Sequence, residues 1–88
     1  MIVKDYTILA SQGIHARPAA ALVKLVRNYK ARITLTKGQQ EIRLNSVLNI
    51  LSMMAKGGET VTVHIDGDDE VTALEAIDRF FNEQLKDL

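Results

Sequence analysis

Four short stretches of the chain are predicted to be strands, and along the last three of them hydrophobic and polar residues alternate with the two-residue period of a strand buried on one side. The first stretch covers residues 2–9, the second residues 32–36, the third residues 41–44 and the fourth residues 60–65. The turn at residues 37–40 separates the second stretch from the third, so these two are predicted to form a hairpin.

Three other stretches repeat their apolar residues at helical spacing. The first predicted helix covers residues 16–29 and the second Val47–Met54, which follows two N-cap residue types, Asn45 and Ser46. The third runs toward the C-terminus after the acidic turn at residues 67–69. Its predicted buried face consists of Leu74, Ile77, Phe81 and Leu85.

The predicted elements follow in the order β-α-β-β-α-β-α. Each strand has one apolar and one polar face, so helices are expected to cover only one side of the sheet. The prediction is an α+β fold: an open-faced β-sandwich with a four-stranded, mostly antiparallel sheet and three helices on one face. At 88 residues, residues 1–88 are expected to form a single domain.

Composition bears on the location of the protein and on the cofactors it could bind. The chain is 47% hydrophobic and contains no cysteine, which excludes disulfides and thiolate chemistry and agrees with a cytoplasmic location. No apolar run reaches the roughly 18 residues that cross a bilayer, so no membrane insertion is expected. No glycine-rich phosphate-binding loop with a Gly-Lys-Ser or Gly-Lys-Thr motif is present, so the protein is not expected to bind ATP. No cofactor is predicted. A monomer is predicted.

Charge is distributed unevenly, although 11 Lys or Arg residues balance 11 Asp or Glu residues. The first 58 residues hold nine basic and two acidic residues, and the last 30 hold two and nine. Arg17, Lys24 and Arg27 share the first predicted helix, where a positive field would steer acidic or phosphate-bearing partners. The alternative is a solvated helix face. Nucleic acid is not an expected partner, because the chain is neutral and no aromatic platform accompanies the basic residues.

The candidate chemistry lies in the octet Gly-Ile-His-Ala-Arg-Pro-Ala-Ala, which begins at Gly13. Gly13 permits a sharp turn, and Pro18 fits only the first turn of a helix, where its missing N–H costs nothing. His15 is therefore predicted at or just before the N-cap, beside the free N–H groups of Ala16 and Arg17. Such amides bind anions, so the imidazole can accept a phosphoryl group whose oxygens the amides and Arg17 hold. The alternative for Arg17 is a solvated side chain.

This octet resembles the motif of the HPr family, the histidine-containing phosphocarriers of the bacterial sugar phosphotransferase system. The resemblance extends from the N-terminal strand to the last helix. It implies that Nδ1 of His15 is phosphorylated by phosphoenolpyruvate-charged enzyme I and that the phosphate passes to sugar-specific EIIA proteins. It also implies that Arg17 is the phosphate partner and that the protein is a carrier, not an enzyme.

Ser46 is predicted to be the N-cap of the second helix. The resemblance adds a regulatory role, because the serine at this position is phosphorylated by an ATP-dependent kinase in many Gram-positive HPr proteins. A phosphate there would add roughly −1.5 to −2 charges at a helix N-terminus. Asn45 and Asn49 stand where a basic residue and a glycine are common. Recognition by HPr kinase/phosphorylase, and by a catabolite-control transcription factor, is therefore left open.

The second helix is apolar nearly all round and is predicted to carry two stripes. These are Ile50, Met53 and Met54 on one side, and Val47, Leu48 and Leu51 on the other. Since a short helix on a sheet buries one stripe, the second is expected to be an exposed patch for a partner. By resemblance, these positions dock the upstream enzyme and the downstream proteins. Met54 stands where a small residue is common and is expected to tighten or partly shield the site.

Two other features are interpreted as structural. His64 is expected to face solvent from the fourth strand, and two histidines without clustered partners predict no metal site. The acidic run Asp66–Glu70 does not have EF-hand spacing and is interpreted as a turn followed by a helix start.

Two other functions are considered beside the carrier. A regulatory binding module would act through the Ser46 face, but the regulatory relative Crh lacks the active histidine, so His15 favours a carrier. The nitrogen-related branch of the family uses a similar histidine motif for signalling, and the motif does not separate that branch from the sugar branch.

Overall fold

The computed structural model describes residues 1–88 and contains four strands and three helices. They are β1 (Ile2–Thr7), α1 (Ala16–Val26), β2 (Arg32–Lys37), β3 (Gln40–Arg43), α2 (Val47–Ser52), β4 (Thr60–Asp66) and α3 (Glu70–Arg79). After α3 the chain continues through a π-helical turn, Phe80–Gln84, and a 3₁₀ turn, Leu85–Asp87. The predicted order of elements is confirmed.

The strands form one sheet in the order β1-β4-β2-β3, and every neighbouring pair is antiparallel. Leu35 of β2 lies opposite Val63 of β4 on one side and Ile42 of β3 on the other. Because residues opposite each other share a face, this row presents apolar side chains to one side of the sheet. The sheet and its three helices form the predicted open-faced α+β sandwich.

A single core of 23 buried apolar residues fills the space between the sheet and the helices. The first helix contributes Ala19, Leu22, Val23 and Val26, and the C-terminal region contributes Ala73, Ile77, Phe80, Phe81 and Leu85. Because α1 is anchored along one face only, its first turn remains accessible at the edge of the molecule: Ala16 and Arg17 are both exposed.

Polar and aromatic contacts join α3 and the π-helical turn that follows it to the edge strand β1. The Tyr6 ring stacks on Phe81 with centroids 4.6 Å apart, and the Tyr6 hydroxyl donates a hydrogen bond to the Asp78 carboxylate. The ammonium of Lys4 lies 2.9 Å from the same carboxylate. Partial burial would raise the pKa of Asp78, but the hydrogen bonds from Tyr6 and Lys4 outweigh it and hold that pKa below its ordinary value.

Three element ends differ from the prediction by two residues or more, and the bounds of β2, β3 and β4 differ by one residue. The first strand ends at Thr7, not Leu9, although Ile8 still donates its N–H to the Glu59 carbonyl at 2.8 Å. The first helix ends at Val26, not Tyr29, because its last residues form tighter i→i−3 hydrogen bonds. The second helix ends at Ser52, two residues early.

Two side chains also differ from their predicted environments. Leu74 is half-buried, because the apolar stripe of α3 is centred on Ala73 and Ile77 and Leu74 lies at its border. His64 is half-buried on the open face, since β4 is a central strand and Val3 and Thr34 flank it on either side. None of the helices is both long and apolar enough to span a lipid bilayer.

Candidate functional site

The N-terminus of α1 is open toward solvent, with His15 as its N-cap residue. His15 has an extended backbone (φ −90°, ψ −168°), and its carbonyl accepts the first helical hydrogen bond, from Ala19 N–H at 3.0 Å. Its side chain makes no capping hydrogen bond, and the first turn contains no acidic residue. The N–H groups of Ala16 and Arg17 therefore have no capping partner.

The loop before His15 is fixed by close backbone contacts. Gly13 has a positive φ of 71°, and a Cβ there would collide with the carbonyl oxygen of Ala55. Ile14 is buried and donates its N–H to the same oxygen at 3.0 Å. The sharp turn predicted at Gly13 is confirmed, and glycine is required for close approach as well as for its backbone angle.

The imidazole of His15 is half-buried, and its Nδ1 lies 3.4 Å from the Gly13 carbonyl oxygen. This is a long contact that leaves the nitrogen weakly engaged. The ring borders a depression of about 190 Å³. Its other lining residues are Ala10, Ser11, Gln12, Leu85, Lys86, Asp87 and Leu88.

The C-terminal turn thus lies beside His15, which the sequence analysis did not anticipate. No local signal in the sequence could have shown this, because the segment around His15 and the C-terminal turn meet only in the folded protein. The same turn is anchored by Leu85, which is fully buried.

The basic residues of α1 are exposed but lie at different distances from His15. Arg17 makes no hydrogen bond or ion pair and follows His15 by two residues. At 1.5 Å per residue, Lys24 and Arg27 lie about 10 Å and 15 Å farther along the helix axis than Arg17. Of the three, Arg17 is the one placed to reach a group bound at His15.

Ser46 is the N-cap of α2, as predicted, and its Oγ accepts a hydrogen bond from Asn49 N–H at 3.3 Å. The helix buries Ile50 and Met53, which are 1% and 2% exposed. Met54 was predicted to share their stripe, but it is 67% exposed. The reason is that the helix has ended and Met54, with φ +54°, turns away from the core.

The predicted second stripe of α2 is only partly exposed. Leu48 is 77% exposed, as expected. Val47 and Leu51 are half-buried and pack against the core, so the prediction that they are solvent-exposed is wrong. The physical reason is that α2 contacts α1 as well as β3, which covers part of the second stripe. We call Leu48, with the half-buried Val47 and Leu51 beside it, the α2 patch.

No group of three histidine or carboxylate side chains is close enough to hold a metal ion. The groups at His15 are its imidazole and the first amides of α1, with Arg17 two residues along the helix and Ser11, Gln12, Lys86 and Asp87 lining the same depression. Such a site can hold an anion and bond it covalently through nitrogen.

Comparison with known proteins agrees with this geometry. Residues 2–83 match the family model described as the PTS HPr component phosphorylation site. The phosphocarrier protein HPr of Treponema pallidum is 32% identical over 87 residues, 99% of each chain. HPr of Haemophilus influenzae is 36% identical over 75 residues, 85% of this chain and 88% of the relative.

A solved structure gives the same result for the fold. The histidine-containing phosphocarrier protein of a mycoplasma has a TM-score of 0.85 to this chain, at 30% identity and with 90% of both chains covered. The resemblance drawn from the octet is confirmed over nearly the full length. The chain therefore belongs to the HPr family, whose members are phosphocarriers of the phosphotransferase system and not catalytic enzymes.

Proposed function

We propose that this chain accepts a phosphoryl group on Nδ1 of His15 from phosphoenolpyruvate-charged enzyme I and passes it to sugar-specific EIIA proteins in the cytoplasm. In the first step the lone pair of Nδ1 forms an N–P bond as the bond between phosphorus and the donor breaks. The second step reverses these roles with the acceptor as nucleophile. No net oxidation or reduction occurs.

The observation that carries this proposal is the N-terminus of α1, which no side chain caps. His15 is the N-cap residue, but its imidazole makes no hydrogen bond to the helix amides, and the first turn contains no acidic side chain. Phosphoryl oxygens bound to His15 would meet the N–H groups of Ala16 and Arg17 at the positive end of the helix dipole. Arg17 is exposed and has no ion pair in the folded protein, so its guanidinium is available to the same oxygens.

We propose that partners dock on the surface formed by the α2 patch and the basic side of α1. Leu48 is the most exposed large apolar side chain of the molecule, at 77%, and can be desolvated fully by a partner. Arg17, Lys24 and Arg27 are exposed on α1, the helix that contacts α2, and their positive charge would steer acidic partner surfaces toward it.

Ser46 is a second site in this proposal, with a regulatory role. Its phosphorylation by HPr kinase/phosphorylase would place a doubly charged group next to Leu48, on the docking surface. That change would weaken docking of enzyme I and EIIA proteins and create a new surface for a catabolite-control transcription factor. If negative charge at position 46 weakens docking, the Ser46→Asp protein should bind enzyme I more weakly than the Ser46→Ala protein.

The test of the main proposal is mass spectrometry of the protein after incubation with phosphoenolpyruvate and enzyme I. The chain contains two histidines, so the variants His15→Ala and His64→Ala form a matched pair. We expect an acid-labile, base-stable phosphate on the wild type and on His64→Ala, and none on His15→Ala. Phosphorylation of His15→Ala would refute the assignment. Replacing the EIIA acceptor with one from the nitrogen branch then shows which branch the carrier serves.

A further inference from the structure

The side chain of Lys37 crosses from the β2–β3 hairpin to the segment that follows α2. Its Nζ donates to the carbonyl oxygens of Met53 at 3.2 Å and Met54 at 3.1 Å, and it lies 3.1 Å from Oε1 of Glu59. An ammonium has three N–H donors, and here each has an acceptor. The side chain is only 23% exposed, so these contacts are partly shielded from water.

Glu59 lies at the other end of this segment, residues 53–59. The same Oε1 that faces Lys37 also accepts the backbone N–H of Lys56 at 2.6 Å. The hydrogen bonds from that amide and from Lys37 hold the pKa of Glu59 below its ordinary value, so the carboxylate is charged at neutral pH. Lys37 and Glu59 together tie the start and the end of residues 53–59.

This segment needs to be held because its backbone is strained. Met54 is the one non-glycine residue of the chain with a positive φ, +54°. The carbonyls of Met53 and Met54 also lie at the C-terminal end of α2, where the helix dipole is negative and a cation is favourable. The ammonium of Lys37 supplies that cation.

Residues 53–59 in turn hold the loop that carries His15. Ala55 accepts the N–H of Ile14, and Ile8 exchanges hydrogen bonds with Glu59 and Gly58 at 2.8 and 2.9 Å. A Cβ on Gly57 would lie 2.6 Å from the carbonyl oxygen of Ala10, so the two segments are packed backbone against backbone. If the segment moves, the backbone of Ile14 must move with it.

We propose that Lys37, paired with Glu59, is a positioning residue for phosphoryl transfer. It fixes residues 53–59, which fix the backbone of Ile14 and thereby place the imidazole of His15 against the first amides of α1. Lys37 does not touch the reacting atoms. This inference rests on the proposed function of His15.

Lys4 provides a matched control for the loss of an ion pair. Its ammonium lies 2.9 Å from the Asp78 carboxylate and joins β1 to α3, away from the two loops that meet at Ile14. Lys4→Met therefore removes the same kind of interaction as Lys37→Met but leaves the His15 loop anchored.

The experiment measures two quantities in the same set of proteins. The first is the rate of His15 phosphorylation by phosphoenolpyruvate-charged enzyme I in a single turnover. The second is hydrogen exchange of the Ile14 amide, which reports on its bond to Ala55. The variants are Lys37→Met, Lys37→Arg, Glu59→Gln and Lys4→Met, each checked for folding by circular dichroism.

Displacement of reacting groups by about 1 Å can slow a reaction about 100-fold, and an indirect contact should act more weakly, so we expect Lys37→Met to be about tenfold slower. The Ile14 amide should exchange faster in the same variant. Lys37→Arg keeps the charge and the N–H donors, so its rate of His15 phosphorylation should be within about threefold of the wild-type rate. Glu59→Gln should have a phosphorylation rate and an Ile14 exchange rate between those of wild type and Lys37→Met. Lys4→Met should match wild type in both quantities.

The inference is overturned if Lys37→Met transfers at the wild-type rate, if Lys4→Met is equally slow, or if arginine does not recover the rate. If Lys37→Met does not fold, Glu59→Gln decides by the same two measurements. Absence of phosphate on the wild-type protein would refute the proposed function itself, and this inference with it. A phosphorylated wild type with an equally fast Lys37→Met would refute this inference alone.

Discussion

The two long helices, α1 and α3, begin with opposite chemistry. The carboxylate of Asp69, the N-cap of α3, accepts the backbone N–H groups of Lys30 at 2.8 Å and Ala31 at 2.9 Å. Glu70, in the first turn of α3, lies 3.0 Å from the N-terminal ammonium. Neither helix start has a side-chain capping hydrogen bond, but the first turn of α1 contains no acidic residue and its N-cap residue is a histidine.

The difference distinguishes a helix N-terminus that is stabilised by the chain's own acidic residues from one that is available to an anionic ligand. The positive end of a helix favours a nearby negative charge by about 0.3–1 kcal/mol. At α3 the chain supplies that charge itself. The hydrogen bond from Lys30 N–H, with that from Ala31, holds the pKa of Asp69 below its ordinary value. At α1 the charge is left to come from a ligand, and the proposed phosphoryl group supplies it.

The largest effect is expected from giving α1 an acidic start like that of α3. Ala16 is exposed in the first turn, so Ala16→Asp places a carboxylate near the amides without disturbing the core. It should stabilise the folded protein by about 0.3–1 kcal/mol. Repulsion between like charges costs several kcal/mol, so phosphoryl transfer to His15 should fall about 100-fold.

Thermal unfolding and single-turnover transfer measure the two effects of Ala16→Asp, and Ala16→Asn is the neutral control of similar shape. If the aspartate protein accepts phosphate as fast as the asparagine protein, the helix start is not where the phosphoryl group binds.

The next largest effect is expected from Arg17→Lys. Lysine retains the charge but loses the planar pair of donors that can hold two phosphoryl oxygens, so transfer should slow about tenfold. The fold should be unchanged, because Arg17 is exposed and makes no contact through its charge. Equal transfer rates in both directions would mean that the amides and the partner proteins bind the group without this guanidinium.

A smaller effect, on binding to enzyme I, should distinguish the exposed apolar side chain of α2 from that of α3. Leu48 on the α2 patch is 77% exposed, and Val71 in the first turn of α3 is 64% exposed. Surface substitutions usually change stability by about 0.5 kcal/mol or less, so Leu48→Asp and Val71→Asp should both fold normally.

In titration with enzyme I, Leu48→Asp should bind about fivefold more weakly, because the carboxylate would be buried without a partner. Val71→Asp should bind like wild type. Equal weakening by both would mean that docking is not confined to the side of the molecule that carries the α2 patch.

The smallest effect on transfer should come from removing the acid at the start of α3. Asp69→Asn should accept phosphate like wild type while its thermal stability falls. Since the pKa of Asp69 is lowered in the folded state, its contribution to stability is present above the ordinary carboxyl pKa and is lost as pH falls through the lower, folded value. The difference in melting temperature between wild type and Asp69→Asn should therefore shrink below about pH 4. A constant difference across that range would exclude this origin.

Local patterns predicted the helix starts well. The glycine before His15 and the proline after Arg17 together define the beginning of α1, because their backbone preferences act within a few residues. The N-cap role of Ser46 follows from equally local chemistry. The strand alternation predicted the face of the sheet that the helices cover.

What the sequence could not show depends on contacts between distant segments. Val47 and Leu51 are partly covered because α2 meets α1, which no periodicity within α2 reveals. The hydrogen bonds from Lys37 to residues 53 and 54 join segments 16 and 17 residues apart. Lys37 itself resembles an ordinary hairpin residue in the sequence. Packing of distant segments also brings the C-terminal turn beside His15.

The most direct test of phosphoryl binding at the N-terminus of α1 is an NMR comparison of the protein before and after phosphorylation. The amide signals of Ala16 and Arg17 should show the largest shifts, and the ¹⁵N signal of His15 Nδ1 should show the bond to phosphorus. The amides of Glu70 and Val71 at the start of α3 should be unchanged. If the largest shifts fall elsewhere, or if Nδ1 carries no phosphorus, the N-terminus of α1 is not the phosphoryl site.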